Sequence, residues 1–270
     1  MQVREIEAAL SSAWIEPRYQ PIVRLGDGLP VAVEALARLN HPSLGLLGAG
    51  RFVPQIELAG LAGELTEQIA ATTFTDIAAV DPGPAGLVVG INIPLDLLLL
   101  PSTLARLEAR RETAGLEPAR VVVELTESQP VEDIDRLARV LEQLRRTGYG
   151  AVIDDVVPAM AYLPKLLDLP FTGLKLDGGL VRMTGQSATA HRFAAAIVAA
   201  ARRFGLTVTA EGIEDSADWD RMLSLGADQA QGFLVAEAME AANLPAWRLL
   251  WAASSHTETA AAAGTAVLTN

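Results

Sequence analysis

Apolar residues along this chain recur in two alternating rhythms. Short runs of strand type occupy 31–39 (VAVEALARL), 86–92 (GLVVGIN), 120–127 (RVVVELTE) and 149–155 (YGAVIDD), then 171–177 (FTGLKLD), 206–212 (LTVTAEG) and 227–235 (ADQAQGFLV). Between them lie stretches with apolar residues every third or fourth position, the spacing of an amphipathic helix. These predict helices over about 51–80, where Leu58, Leu61, Leu65 and Ile69 align, and over 95–113, 131–147, 188–204, 215–225 and 242–253, with a shorter piece at 159–168. Gly148, Pro170, Gly205 and Gly226 fall in the connections, where chain breakers belong. Ahead of the series, 1–13 reads as a short helix with Val3, Ile6 and Leu10 on one side, and 18–25 (RYQPIVRL) as a strand. The GDG at 26–28 joins that strand to the next as a hairpin, which makes the first strand antiparallel.

Eight strands with helices between them predict an α/β fold, a single (β/α)8 TIM-like barrel. In such a barrel functional groups gather at the C-terminal ends of the strands. A doubly wound open sheet is the competing architecture, but no glycine-rich phosphate loop follows any strand. The expected organisation is an N-terminal helical segment over 1–17, a barrel over 18–253 and a low-complexity, disordered tail over 254–270.

The strands share one further property: each ends on a polar residue. The endings are Gln20, Glu34, Asn92, Glu124, Asp154 with Asp155, Lys175 with Asp177, Glu211 and Gln231. Side chains alternate between the two faces of a strand, so Lys175 and Asp177 share one face and Leu174 and Leu176 the other. The polar set can therefore converge on the barrel axis while the apolar set packs under the helices. Glu34, Asn92, Glu124 and Asp154 together offer an oxygen-only cation site, and Asp155 can hold a second ion beside it. Lys175 suits the orientation of an attacking water or the stabilisation of developing charge, Glu211 the role of base or further ligand, and Arg38 that of a phosphate clamp. Each residue also has a plainer reading. A strand-end acid caps a helix, Asn92 before Pro94 makes a turn, Lys175 lies on an exposed edge, Gln231 is solvated, and Glu127 and Glu214 are first-turn helix acids. What favours the functional reading is their joint crowding at one rim, where mutual repulsion demands a cation.

Composition narrows the chemistry. Half of the 270 residues are hydrophobic, enough for one large core, and there is no cysteine, which removes disulfides, thiolate zinc sites and cysteine nucleophiles. The three histidines, His41, His191 and His256, form no pair at metal-ligand spacing. A net charge of −12 argues against a nucleic acid polymer as partner. Acidic Glu5 and Glu7 stand where a signal peptide would be apolar, and the run at 95–100 is too short to span a bilayer, so a cytoplasmic location with no membrane partner is expected.

The ordered set YQPI (19–22), EALARLNHP (34–42), GINIP (90–94), ELTES (124–128), IDD (153–155), LKLD (174–177), AEGIE (210–214) and QGF (231–233) resembles the EAL domain family of cyclic di-GMP phosphodiesterases. The likeness runs from about 18 to 239. It implies hydrolysis of cyclic di-GMP to linear pGpG with Mg2+ or Mn2+, two ions in all. Glu34, Asn92, Glu124, Asp154 and Asp155 would hold metal, and Lys175, Glu211 and Asp155 would serve catalysis. Gln20, Arg38 and Gln231 would meet the substrate, while Glu127, Asp177 and Glu214 would steady the surrounding loops. The resemblance also implies a homodimer.

The departures from the family pattern are local. Where the family reads DDFGTGYSSL, this chain reads DDVVPAMAYL (154–163), with both loop glycines gone and Pro158 stiffening the segment. Leu39 replaces a tryptophan, and Glu237-Ala238 a basic residue and proline. The altered loop predicts a weakened second metal position, slower turnover, and weaker dimerisation through this face, where Val156, Val157 and Met160 offer an apolar patch of different shape. The alternative function is a degenerate receptor that binds cyclic di-GMP or a protein partner without turnover.

Overall fold

The structure, a computed structural model, describes residues 3–12, 14–83, 86–126, 133–160 and 162–254. Strand β1 (Ile15–Arg24) turns back into β2 (Pro30–His41), and a short β3 (Gly45–Gly48) pairs with the far end of β2. The remaining strands are β4 (Val88–Pro94), β5 (Val121–Thr126), β6 (Gly150–Val156), β7 (Gly173–Leu176), β8 (Thr207–Ala210) and β9 (Gln229–Gln231). They run β2-β4-β5-β6-β7-β8-β9 in parallel register, and β1 closes the ring by pairing antiparallel with both β2 and β9. The result is an eight-stranded (β/α)8 barrel with an antiparallel first strand, as the sequence pattern predicts; β3 is an added edge outside the ring.

The helices are α1 (Val3–Ser11), α2 (Val53–Leu58), α3 (Ala62–Val80), α4 (Leu95–Leu98) and α5 (Pro101–Ala114), followed by α6 (Ile134–Thr147) and α7 (Leu163–Leu167). Next come α8 (Gly178–Thr184), α9 (Ala188–Phe204) and α10 (Ser216–Leu225), and residues 244–254 form a last helix. Two helices expected to be continuous are each broken in two. Gly60, at φ +73°, ends α2 in the left-handed conformation that favours glycine, which leaves Leu58 89% exposed instead of in the core. Pro101 starts α5 afresh because proline fits the first turn of a helix but not its interior. Neither β3 nor α8 carries enough periodicity to be read from sequence. The strand expected over 227–235 is only Gln229–Gln231, because the chain turns at Gly232, where a Cβ would lie 2.2 Å from the Ile213 carbonyl oxygen.

Leu174 and Leu176 are fully buried in the main core, together with Val89, Ile91, Val123, Leu125 and Ile153 from neighbouring strands and Phe74, Leu141 and Val198 from the helices. A smaller core of Ile15, Leu39, Phe52, Ile56, Leu65 and Ile69 binds α2 and the start of α3 to the β1–β2 pair. At the N-terminal mouth of the barrel, buried Arg120 donates from Nε to Leu87 O at 3.0 Å and from Nη1 to Asp81 O at 2.8 Å and Gly83 O at 3.0 Å. One guanidinium thus ties the end of α3 to the start of β4. The tail expected beyond 254 and the Glu127 position lie outside the described residues. No helix among the described residues is long and apolar enough to cross a membrane.

Replacing Arg120 by Met leaves those carbonyls buried without donors, at a cost of ~3 kcal/mol. Thermal unfolding should show a Tm lower by roughly 6–12 °C; an unchanged Tm would mean the guanidinium does not hold this end of the barrel.

Candidate functional site

Four strand ends place carboxylates around one ammonium. Lys175 of β7, 2% exposed, has Nζ 2.9 Å from Glu34 Oε2, 2.9 Å from Glu124 Oε2, 3.3 Å from Asp154 Oδ1 and 2.7 Å from Glu211 Oε1. The register of the barrel dictates this gathering. Glu34 stands beside Gly90, Asn92 beside Glu124, and Lys175 beside Thr209, so inward positions of successive strands fall at similar heights along the axis.

Glu34 is the most heavily bonded acid. Oε1 accepts from Asn92 Nδ2 at 2.8 Å, and Oε2 accepts from both Lys175 and Gln231 Nε2, the latter at 2.7 Å. Gln231 Nε2 also donates to Gln20 Oε1 at 3.1 Å, and Gln20 is in turn fixed by donating to Ala236 O. Burial alone would raise the Glu34 pKa, but the Lys175 charge and these donors outweigh it and hold the carboxyl below the usual range. The other acids move the opposite way. Burial and the neighbouring Glu34 charge push Glu124 well above the ordinary carboxylate value, burial raises Asp154 to about 6, and burial raises Glu211 to about 8. Asp155 is also raised, chiefly by burial. Lys175 is held firmly cationic, since the surrounding acids outweigh the burial that would discharge it.

Glu124 reaches the cage only because its neighbour is glycine. A Cβ on Gly90 would lie 1.9 Å from Glu124 Oε1. Beneath the cage a cavity of about 220 Å3 remains on the axis, lined by Val88, Gly90, Val122, Val152, Gly173 and Thr209 together with Glu124 and Lys175.

Asp154 and Asp155 owe their positions to a break in regular pairing. The β6–β7 register shifts between Ile153 and Val156, and Asp155 adopts φ +52°, an uncommon conformation for a residue with a side chain. Both carboxylates consequently face the rim. Asp154, Asp155 and Glu211 each offer an oxygen within 4.8 Å of the others. Asp154 Oδ1 is buried and has the 3.3 Å ion pair with Lys175 but no hydrogen bond, so it can accept a further partner. This oxygen-only donor set fits a hard divalent cation.

Two adjoining pockets open here. One, about 390 Å3, is lined by Gln20, Glu34, Asp154, Asp155, Glu211 and Gln231, with Arg182, Glu214 and Phe233 at its edge; the other, about 320 Å3, is lined by Glu34, Asn92, Asp154 and Asp155 with Leu36 and Pro94. The structure thus brings together Gln20, Glu34, Asn92, Glu124, Asp154, Asp155, Lys175, Glu211 and Gln231. Arg38 lines neither pocket, and its Nη1 donates to Ala37 O at 3.0 Å. Asp177 caps α8 by accepting from Leu180 N at 2.9 Å, and Glu214 pairs with Arg182 at 3.4 Å. The apolar surface expected of the rewritten loop takes a different form: Val156 is fully buried and Met160 packs against the core. Sequence reading passed over Gly90 and Arg182. Glycine inside a strand signals a close approach in general, but nothing names its neighbour, and Arg182 sits on a helix too short to be recognised.

Known proteins agree with this architecture. Residues 3–238 match the family model described as EAL domain. The chain is 30% identical over 243 residues to the bifunctional diguanylate cyclase/cyclic di-GMP phosphodiesterase MucR of Pseudomonas aeruginosa, covering 90% of this chain and 36% of the relative. It is 31% identical over 241 residues to the cyclic di-GMP phosphodiesterase NbdA of the same organism, covering 89% and 31%. The chain therefore spans about a third of the length of these curated relatives. Among solved structures, the PaMucR phosphodiesterase in complex with c-di-GMP superposes with a TM-score of 0.84 at 30% identity, covering 90% of this chain and 98% of that one. The EAL enzyme Bd1971, in its cAMP and cyclic-di-GMP bound form, gives 0.83 at 25% identity, covering 89% and 66%. On the match over 3–238 and the barrel that carries it, this chain belongs to the EAL domain family.

Proposed function

We propose that this chain is a metal-dependent phosphodiesterase that hydrolyses cyclic di-GMP to linear pGpG with Mg2+ or Mn2+. The observation that carries the reading is the rim cluster of Asp154, Asp155 and Glu211 set against Lys175, inside the cage completed by Glu34 and Glu124. In the reaction a water oxygen bonds to phosphorus, the P–O3′ bond breaks, the 3′ oxygen takes a proton, and the phosphate stays on the 5′ side. Bound divalent metal supplies charge neutralisation at the phosphate and lowers the pKa of water. Asp154, Asp155 and Glu211 would hold it, with Glu34, Asn92 and Glu124 as further ligands. Lys175 directs a fixed positive charge at the reacting centre, where charge develops in the transition state. Gln231 and Gln20 keep Glu34 in one orientation through their shared hydrogen bonds. Incubation with cyclic di-GMP and Mn2+, followed by chromatography, should show pGpG; tight binding with no product would favour the receptor function instead.

Asp154 and Glu211, raised to about 6 and about 8, hold protons that a metal must displace. Metal affinity should therefore rise with pH from about 6 to 8.5, as these carboxyls lose protons and become ligands. Thermal shift with Mn2+ at several pH values reads this directly, and a pH-independent shift would contradict it. Lys175→Ala, assayed with metal present, should lower kcat by about 100-fold or more with much less change in substrate affinity. Equal losses in rate and binding would remove Lys175 from the transition state. Gly90→Ala should dislodge the Glu124 carboxylate and weaken metal-induced stabilisation by about tenfold in apparent affinity, whereas unchanged metal binding would show that Glu124 is not needed where it stands.

A further inference from the structure

The two rim pockets have an unbalanced charge. Their described lining includes Glu34, Glu57, Asp154, Asp155, Glu211 and Glu214, and a single cation, Arg182. The other basic groups nearby do not line these pockets. Lys175 lies beneath the rim among four carboxylates, Arg38 donates to Ala37 O, and Arg18 is paired with both Glu16 and Glu240. A cyclic dinucleotide carries two phosphodiester anions, and an acidic cluster with its metal serves only the one that reacts. The second anion needs a cation on the pocket wall, since an unpaired phosphate beside carboxylates is repelled.

We propose that Arg182 binds the phosphodiester group that is not cleaved, which makes α8 part of the substrate site; this rests on the phosphodiesterase reading above. The fold delivers the guanidinium to that place. Asp177 caps α8 through Leu180 N, and the first residue of the helix abuts the segment after Glu211, where a Cβ on Gly212 (φ +61°) would lie 2.9 Å from Gly178 Cα. That backbone contact excludes a side chain on Gly212 and would crowd one on Gly178 at 3.2 Å, and it sets α8 against the rim. Arg182 itself remains accessible, with a side chain 53% exposed and, among the described residues, a long 3.4 Å ion pair with Glu214 Oε1. A guanidinium offers two parallel donors matched to phosphate oxygens, so exchange of Glu214 for a phosphodiester is favoured by geometry as well as charge.

The test compares cyclic di-GMP with bis(p-nitrophenyl) phosphate, a diester with one phosphate, in the full chain with Mn2+. Arg182→Gln should raise KM for cyclic di-GMP about tenfold with kcat nearly kept, lowering the ratio of kcat/KM between the two substrates by about ten. Arg182→Lys should recover part of that ratio, since it restores the charge but not the paired donors. A ratio unchanged in Arg182→Gln, with the parent active on both substrates, overturns the role of Arg182 and leaves the phosphodiesterase reading intact. A parent chain that cleaves the one-phosphate diester but neither binds nor cleaves cyclic di-GMP overturns that reading, and the role of Arg182 with it.

Discussion

One ammonium among four carboxylates sets the terms for the rest of this barrel. Lys175 is buried at the rim with Glu34, Glu124, Asp154 and Glu211 around it, and its single charge cannot balance theirs. In a low-dielectric interior such a surplus resolves in two ways: acids take up protons, or a cation joins them. The raised positions of Glu124, Asp154 and Glu211 are the first response, and the oxygen cluster of Asp154, Asp155 and Glu211 invites the second. Glu34 alone stays readily ionised, because Asn92 and Gln231 donate to it as well as Lys175.

The surrounding structure serves that arrangement by leaving room for it and by bending strands toward it. Gly90 removes the one atom that would collide with Glu124, and the shift in pairing after Ile153 turns two adjacent acids to the same mouth. Asp155 is aimed by this local backbone break, with φ +52°. The rewritten segment folds as a compact turn, with Met160 N bonded to Val157 O at 3.1 Å and Val156 taken into the core. Beside this turn Asp154, Asp155 and Glu211 stand together.

Charge is also layered from the axis outward. The inner layer is a fixed cage of one ammonium among an excess of carboxylates, while the outer rim is acidic with Arg182 at its lip. An anionic ligand in such a pocket would need positive charge at the acids, where the oxygen cluster could hold a cation, and at the lip, where Arg182 stands.

The sequence by itself determined the barrel, its antiparallel first strand and the set of inward polar positions, because both periodicities are local and strand parity fixes which face each side chain takes. It could not determine what those side chains do to one another. Nothing in the spacing of Glu34, Glu124, Asp154 and Glu211 says that Lys175 would lie between them, or that Asn92 would donate to Glu34, since those contacts join residues as many as 141 positions apart. Short elements were equally hidden. β3 and α8 hold too few residues to show a period, and α8 is the one that brings Arg182 to the pocket. Arg38, prominent in its motif, lies outside both rim pockets for the same reason: a motif fixes a residue's place on its strand, whereas only the packed barrel decides which space its side chain fills.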